Sequence, residues 1–247
     1  MSVVTVTDLA KSYGSVDAID GLSVSVDRGE LFGFLGPNGA GKTSTIRIVT
    51  GQIEPDSGSV RVLGTDPTVE PIETRRQVGI LPEEGSPPSF LTPREYLQFV
   101  GEVRDLAADR VADRTDMWAQ RLGFESKLDT LHTDLSRGQQ QKVMIAQAFV
   151  HEPDIVFIDE PLANLDPLVQ EQVKSFLVSY AAGDNAVFVS THDIDVAEEI
   201  CTRVGIVADG QLVADRSLDG DTDSLLDIFL ETVTDENARD LPAQAGL

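Results

Sequence analysis

Between the apolar stretch Leu31 to Leu35 and the run Lys42 to Gly51, the sequence reads Gly36-Pro37-Asn38-Gly39-Ala40-Gly41-Lys42-Thr43, a fit to G-x-x-x-x-G-K-[ST]. Small residues let backbone N–H groups approach phosphate oxygens, and a helix N-terminus behind the loop adds partial positive charge. In such a loop Lys42 bridges the β- and γ-phosphates of a nucleotide and Thr43 offers its hydroxyl to Mg²⁺; Ser44 is counted with the nucleotide-binding positions. A glycine-rich turn with an incidental lysine is the bland alternative, and the strand before and helix after weigh against it. The loop alone leaves kinases, GTPases and many ATPases open.

A second pattern narrows the choice. Ile155-Val156-Phe157-Ile158-Asp159-Glu160-Pro161 is an apolar strand ending in two acids, and strand C-termini of open α/β sheets face the ligand crevice. Asp159 is the candidate partner of Mg²⁺, through water, because Mg²⁺ keeps much of its hydration shell. Glu160 is the candidate general base for an attacking water. Two acids after a strand are by themselves an ordinary cap or solvated turn; paired with the loop they read as one active site.

The elements that must position these groups follow from the hydrophobic pattern. Residues 3 to 9, 16 to 27 and 30 to 35 read as strands leading into the loop, with a turn at Asp27-Arg28-Gly29, and Lys42 to Gly51 reads as a helix. Ser59 to Leu63 and Val78 to Leu81 are strand-like. From Thr92 to His151 the pattern is helical, starting at Thr92-Pro93-Arg94-Glu95 with an N-cap, a first-turn proline and an acid at the third position. Strand character returns at Ile155 to Ile158, Ala186 to Ser190 and Arg203 to Val207, with helices expected at Pro167 to Tyr180 and Ile194 to Ile200. The alternation predicts an α/β fold with a mostly parallel sheet. Beyond Thr222 a short amphipathic piece, Leu225 to Leu230, precedes a polar tail expected to fray.

Composition sets the outer limits. Of 247 residues, 19 are Lys or Arg and 42 are Asp or Glu, a formal net charge of −23 that repels nucleic acid and anionic lipid. Such a surface suits a high-salt, halophilic cytoplasm, where about 3 Å of Debye length at 1 M salt screens self-repulsion. No apolar run reaches the roughly 18 residues of a membrane helix, and Met1 to Val6 alternates like a strand rather than opening a signal peptide. A cytoplasmic chain without direct bilayer insertion is expected. Cys201 is the only cysteine, expected as a buried, inert thiol.

Between the two acidic and phosphate motifs lies Leu135-Ser136-Arg137-Gly138-Gln139-Gln140-Gln141-Lys142. As a bare string Leu-Ser-x-Gly-Gln is a helix cap; in the order loop, signature, strand acids, the chain resembles the ATPase subunits of the ABC transporter superfamily over approximately residues 3 to 216. The family signature is Leu-Ser-Gly-Gly-Gln, and Arg137 stands where its first glycine usually sits. The resemblance implies a P-loop NTPase core, an N-terminal antiparallel β subdomain and an inserted helical subdomain at about 90–152, within an ATP-binding domain of 1–220, followed by a short helix and tail at 221–247. It implies that adenine stacks on Tyr13, that Ser136, Gly138 and Gln139 close over the γ-phosphate of a second copy, and that Asp166, in Ala163-Asn164-Leu165-Asp166-Pro167, couples the two sites. His192 matches the switch histidine contacting the γ-phosphate. Pro82-Glu83-Glu84 replaces the usual glutamine with Glu83, which can still offer oxygen to Mg²⁺.

The implied activity is ATP hydrolysis with ATP and Mg²⁺, in a head-to-tail homodimer driving transport, export by resemblance, through a separately encoded permease at the inner face of the membrane. Phe90, Leu91, Leu97 and Phe99 are the apolar residues expected to seat a coupling helix of that permease. The rival reading is a soluble ABC ATPase acting on a non-membrane partner such as the ribosome. Its relatives usually fuse two ATPase modules in one chain or carry long insertions, which this sequence lacks.

Overall fold

The computed structural model describes residues 1–160, 162, 165–218 and 224–230. Two long strands, β1 (Ser2–Tyr13) and β2 (Val16–Asp27), form an antiparallel hairpin that turns at Gly14, whose φ of +64° favours glycine. A second turn, with Gly29 at φ +78°, redirects the chain into β3 (Leu31–Leu35), as the Asp27-Arg28-Gly29 signal predicts. The glycine loop then opens α1 (Lys42–Val49), and β4 (Ser57–Val62) returns to pair antiparallel with β1, giving a three-stranded sheet in the order β2-β1-β4.

The short helix α2 (Pro71–Gln77), which the hydrophobic pattern does not announce, leads into β5 (Gly79–Leu81). No strand interrupts the next stretch, which carries α3 (Pro93–Glu102), α4 (Ala108–Leu122) and α5 (Arg137–Phe149). The expected start of α3 is realised as a capping box: the Glu95 amide donates to Thr92 Oγ1 (3.3 Å) and Glu95 Oε2 accepts from the Thr92 amide (2.9 Å). The α/β alternation resumes with β6 (Ile155–Asp159), α6 (Pro167–Ala182), β7 (Ala186–Thr191), α7 (Ile194–Ile200), β8 (Arg203–Ala208) and β9 (Gln211–Ser217). The main sheet runs β5-β6-β7-β3-β8-β9, parallel except for the antiparallel edge strand β9, which follows β8 through a tight turn at Asp209-Gly210.

Every residue of β3, β6 and β7 is buried, because both faces of a parallel sheet are covered. Alternation splits their side chains between two cores. Phe32, Phe34, Phe157 and Phe188 pack together on the face shared with the antiparallel sheet and α1; Phe188 lies 5.1 to 5.6 Å from the other three ring centroids. Leu31, Leu35, Ile158 and Val189 face the helices, where Trp118 of α4 meets Phe176 of α6 edge-on at 4.8 Å and Phe149 of α5 at 5.5 Å. Each such buried side chain contributes about 1.5–3 kcal/mol relative to exposure.

Leu97 belongs to this second core and is fully buried, which corrects its assignment to a docking groove; at its place on α3 it faces the sheet-side helices. Phe90 and Phe99 are exposed and Leu91 half-buried. Cys201 is buried, and desolvation pushes its thiol up to about 12, so it is inert as expected. Residues 225–230 are helical, with Leu225 buried. Pro161, Ala163, Asn164 and the tail at 231–247 lie outside the described residues. Among the described residues no helix is long and apolar enough to cross a membrane.

Candidate functional site

The glycine loop is held by contacts that admit no larger residue at two positions. A Cβ on Gly36 would meet the Val207 carbonyl oxygen at 2.3 Å, and one on Gly41 would meet that of Ala18 at 2.2 Å, with Gly41 also at φ +96°. Gly41 is the N-cap of α1 and supplies no side-chain cap, so the first-turn amides of the helix remain available to an anion. Ala40 is buried behind the loop, and its amide donates to the Pro37 carbonyl (3.3 Å). Lys42 Nζ donates to the Gly36 and Pro37 carbonyls (2.6 and 3.0 Å), which places the ammonium across the loop mouth.

Tyr13, Asn38, Gly39, Gly41, Lys42, Thr43, Ser44, Glu83, Asp159 and Glu160 line one open cleft of about 400 Å³, together with Ala18. The loop at the end of β3 and the acids at the end of β6 meet there because both strands run parallel, with β7 between them. Thr43 Oγ1 donates to Asp159 Oδ2 at 2.8 Å, and the Ser190 hydroxyl donates to Asp159 Oδ1. Burial holds the Lys42 ammonium below the usual lysine range, while Glu160, Asp159 and Glu83 act in the opposite direction.

Glu160 adopts φ +53°, a left-handed conformation costing about 1 to 3 kcal/mol for a non-glycine residue. Its surroundings over-determine it: the Glu160 amide donates to the Ser190 carbonyl (3.1 Å), and its carboxylate accepts from Thr191 Oγ1 (3.2 Å) and the His192 amide (3.0 Å). His192 Nδ1 lies 2.7 Å from Glu160 Oε1, so with Nδ1 protonated it donates a fourth hydrogen bond. The His192 ring is itself exposed and lines a neighbouring depression with Glu160 and Gln170.

Ser136, Gly138 and Gln139 are not in this cleft. They start α5, where the Gln139 amide donates to Ser136 Oγ (3.3 Å) and Gln139 Oε1 accepts from the Ser136 amide (3.0 Å), a second capping box on an exposed serine. Asp166 caps α6 by accepting from the Val169 amide (3.1 Å). Two groups that the sequence reading passed over are Ser190 and Thr191, which grip the paired acids from the end of β7. Their signal was their position, two hydroxyls immediately before His192 at a strand C-terminus.

The loop, the hydroxyl and the carboxylates form a phosphate cradle beside hard oxygen donors, suited to a magnesium nucleotide. A protein-family model described as ABC transporter matches residues 19–163. The Nod factor export ATP-binding protein I of Paraburkholderia xenovorans is 34% identical over 83% of this chain, which spans 67% of that protein. The lipopolysaccharide export system ATP-binding protein LptB of Haemophilus influenzae is 33% identical over 87% of this chain and 90% of its own length. A solved structure of an ATP-binding subunit of an ABC transporter superposes with a TM-score of 0.87 at 30% identity, covering 93% of this chain and 99% of the other. The chain belongs to the ABC transporter family, as one of its ATP-binding subunits that hydrolyse ATP to drive transport.

Proposed function

We propose that this subunit works as a head-to-tail homodimer at the inner face of the membrane, driving export through a separate permease. The observation that carries the catalytic reading is the meeting of Lys42 and Thr43 with Asp159 and Glu160 in one cleft, Thr43 Oγ1 being 2.8 Å from Asp159 Oδ2. Tyr13, half exposed at the cleft edge, stacks the adenine; the loop from Gly36 to Ser44, through its free backbone N–H groups (Pro37 has none), and the Lys42 ammonium take the phosphates. Thr43, Asp159 and Glu83 would hold Mg²⁺, which offsets phosphate charge and orients the triphosphate.

Glu160 takes the proton of the attacking water, and Thr191 and His192 fix the direction of its carboxylate. Ser136, exposed, and Gly138, half-buried, lie at the start of α5, absent from their own chain's cleft, and serve the nucleotide of a second copy. Asp166, the N-cap of α6, couples the two sites. The division into a 1–220 ATPase unit with a helical insert at 90–152 and an appended 221–247 segment belongs to the same reading. Phe90 (76% exposed) and Phe99 (52% exposed) supply the apolar surface against which the permease transmits motion, and export follows the named relatives.

The test is Glu160→Gln. It retains ATP binding, accumulates a nucleotide-dependent dimer in light scattering, and loses about 10²–10⁴-fold in turnover. Hydrolysis at the parental rate would remove Glu160 from its role, and a strictly monomeric ATP-bound variant would remove the dimer.

A further inference from the structure

Strand β1 ends in Lys11-Ser12-Tyr13, and side chains two apart on a strand share a face. The Lys11 ammonium lies 5.7 Å from the centroid of the Tyr13 ring, within the roughly 6 Å at which a cation is attracted to the electron-rich face of an aromatic ring. Tyr13 is half exposed and lines the nucleotide cleft, whereas Lys11 is not among the residues lining it. The ammonium thus stands behind the ring, and the cleft side of the ring is left open.

The lysine is fixed in that place from β4. Its Nζ donates to Asp56 Oδ1 (2.8 Å), Asp56 Oδ2 accepts from the Ser12 amide (2.7 Å), and the Asp56 amide donates to the Ala10 carbonyl (2.9 Å). One residue, immediately before Ser57 of β4, therefore clamps three consecutive residues of β1 up to the tyrosine. Across the hairpin, where Tyr13 pairs with Val16, Ser12 Oγ donates to Asp17 Oδ1 (2.7 Å). Only 18% of the Lys11 side chain is exposed, so this lysine does not extend into solvent as a strand lysine ordinarily would. The hydrogen bond between the two raises the pKa of Lys11 above the ordinary lysine value and lowers that of Asp56, so both are charged at neutral pH.

A ring that receives a base at a cleft edge must be held in one orientation and must keep one face free. The clamp on residues 10–12 supplies the first condition, and the ammonium behind the ring supplies the second. The cation also draws π density toward itself, so the opposite face meets an adenine ring with less repulsion between the two π clouds. Because these contacts form on folding, the ordering of Tyr13 does not have to be offset when the nucleotide binds.

We propose that Lys11 and Asp56 are positioning residues for the nucleotide base: Asp56 anchors the Lys11 ammonium against one face of Tyr13, and the opposite face takes the adenine. Neither residue touches the nucleotide. The inference rests on the reading of Tyr13 as the adenine platform and adds to it the pair that sets the ring.

The test is calorimetric titration of the full chain, in Mg²⁺, with a non-hydrolysable ATP analogue and separately with inorganic tripolyphosphate, which carries the phosphates and no base. Lys11→Met is expected to weaken the ATP analogue by about two- to fivefold, the span of an exposed cation–π contact, and to leave tripolyphosphate unchanged. Asp56→Asn weakens the analogue in the same sense, and Lys11→Arg, which keeps the cation, retains the parental affinity. Tyr13→Ala weakens the analogue by about fivefold or more, and adding Lys11→Met to it causes no further loss. An unchanged analogue affinity in Lys11→Met, an equal loss for tripolyphosphate, or a full further loss in the double variant would each overturn the proposal, the last two because Lys11 would then act on the phosphates directly. Should Tyr13→Ala bind the analogue as the parent does, the stacking reading fails and this inference with it; a loss in Tyr13→Ala with none in Lys11→Met removes the inference alone.

Discussion

At the residue scale, the acids at the end of β6 act only as well as they are held. Asp159 is almost fully buried and accepts from Thr43 and Ser190, so its oxygens are aimed before any metal arrives. Groups that orient metal-binding side chains typically matter by about 10- to 100-fold. Ser190→Ala is therefore expected to raise the Mg²⁺ concentration needed for half-maximal ATP hydrolysis by about tenfold or more; an unchanged Mg²⁺ titration would reduce Ser190 to a packing residue. A second prediction concerns pH. The folded pKa of His151, about 4, lies below the ordinary 6.5 of the unfolded chain, so between those values the unfolded state binds more protons. Stability from this source is present above pH 6.5 and is lost as pH falls toward 4, by about 1 to 3 kcal/mol. Denaturant unfolding in phosphate-free buffer should show this slope, and His151→Gln, whose amide can still donate to Val78, should flatten it; equal slopes would place the acid sensitivity elsewhere.

At the element scale, the helical stretch meets the sheet through α5, whose Gln147 Nε2 donates to the Ile80 carbonyl (2.8 Å), and α3 and α4 join the same core. Leu97 on α3 is fully buried and Phe99, two residues on, is half exposed, because residues two apart on a helix face different directions. Leu97→Ala should destabilise by about 2–5 kcal/mol in denaturant unfolding, by transfer plus cavity. Phe99→Ala should change stability by no more than about 0.5 kcal/mol and instead weaken coupling of hydrolysis to the permease. The reverse ranking would mean that Phe99 is the core residue. Strand and helix positions were legible where the pattern was long: the all-buried β3, β6 and β7 and the capped start of α3. Helix α2 was not, since seven mostly polar residues with one buried side chain leave no periodic signal. Neither was β9, whose residues are at most half-buried at the sheet edge.

At the scale of the whole molecule, charge dominates. A net charge of −23 repels itself in the compact state and again between two copies. Raising KCl from 0.1 to 1 M shortens the Debye length from about 10 to 3 Å. The thermal midpoint should rise over that range, and the Glu160→Gln dimer should form at lower protein concentration. A flat response in both would show that the acidic surface needs no high-salt surroundings. The Lys and Arg ion pairs found among the described residues, nearly all with at least one exposed partner, do not offset this repulsion, since solvent-exposed pairs contribute about 0–1 kcal/mol each.

The sequence alone determined the chemistry on offer: a lysine-bearing glycine loop, paired acids after an apolar strand, and the order of motifs between them. Local spacing suffices there, because the loop and the strand end are each built from consecutive residues whose backbone geometry the residue types dictate. Only the tertiary structure decided that Thr43 touches Asp159 and that Ser190, Thr191 and His192 grip the acids. Those contacts join residues from 31 to 116 positions apart and depend on strand order, which a one-dimensional pattern of polar and apolar residues does not encode.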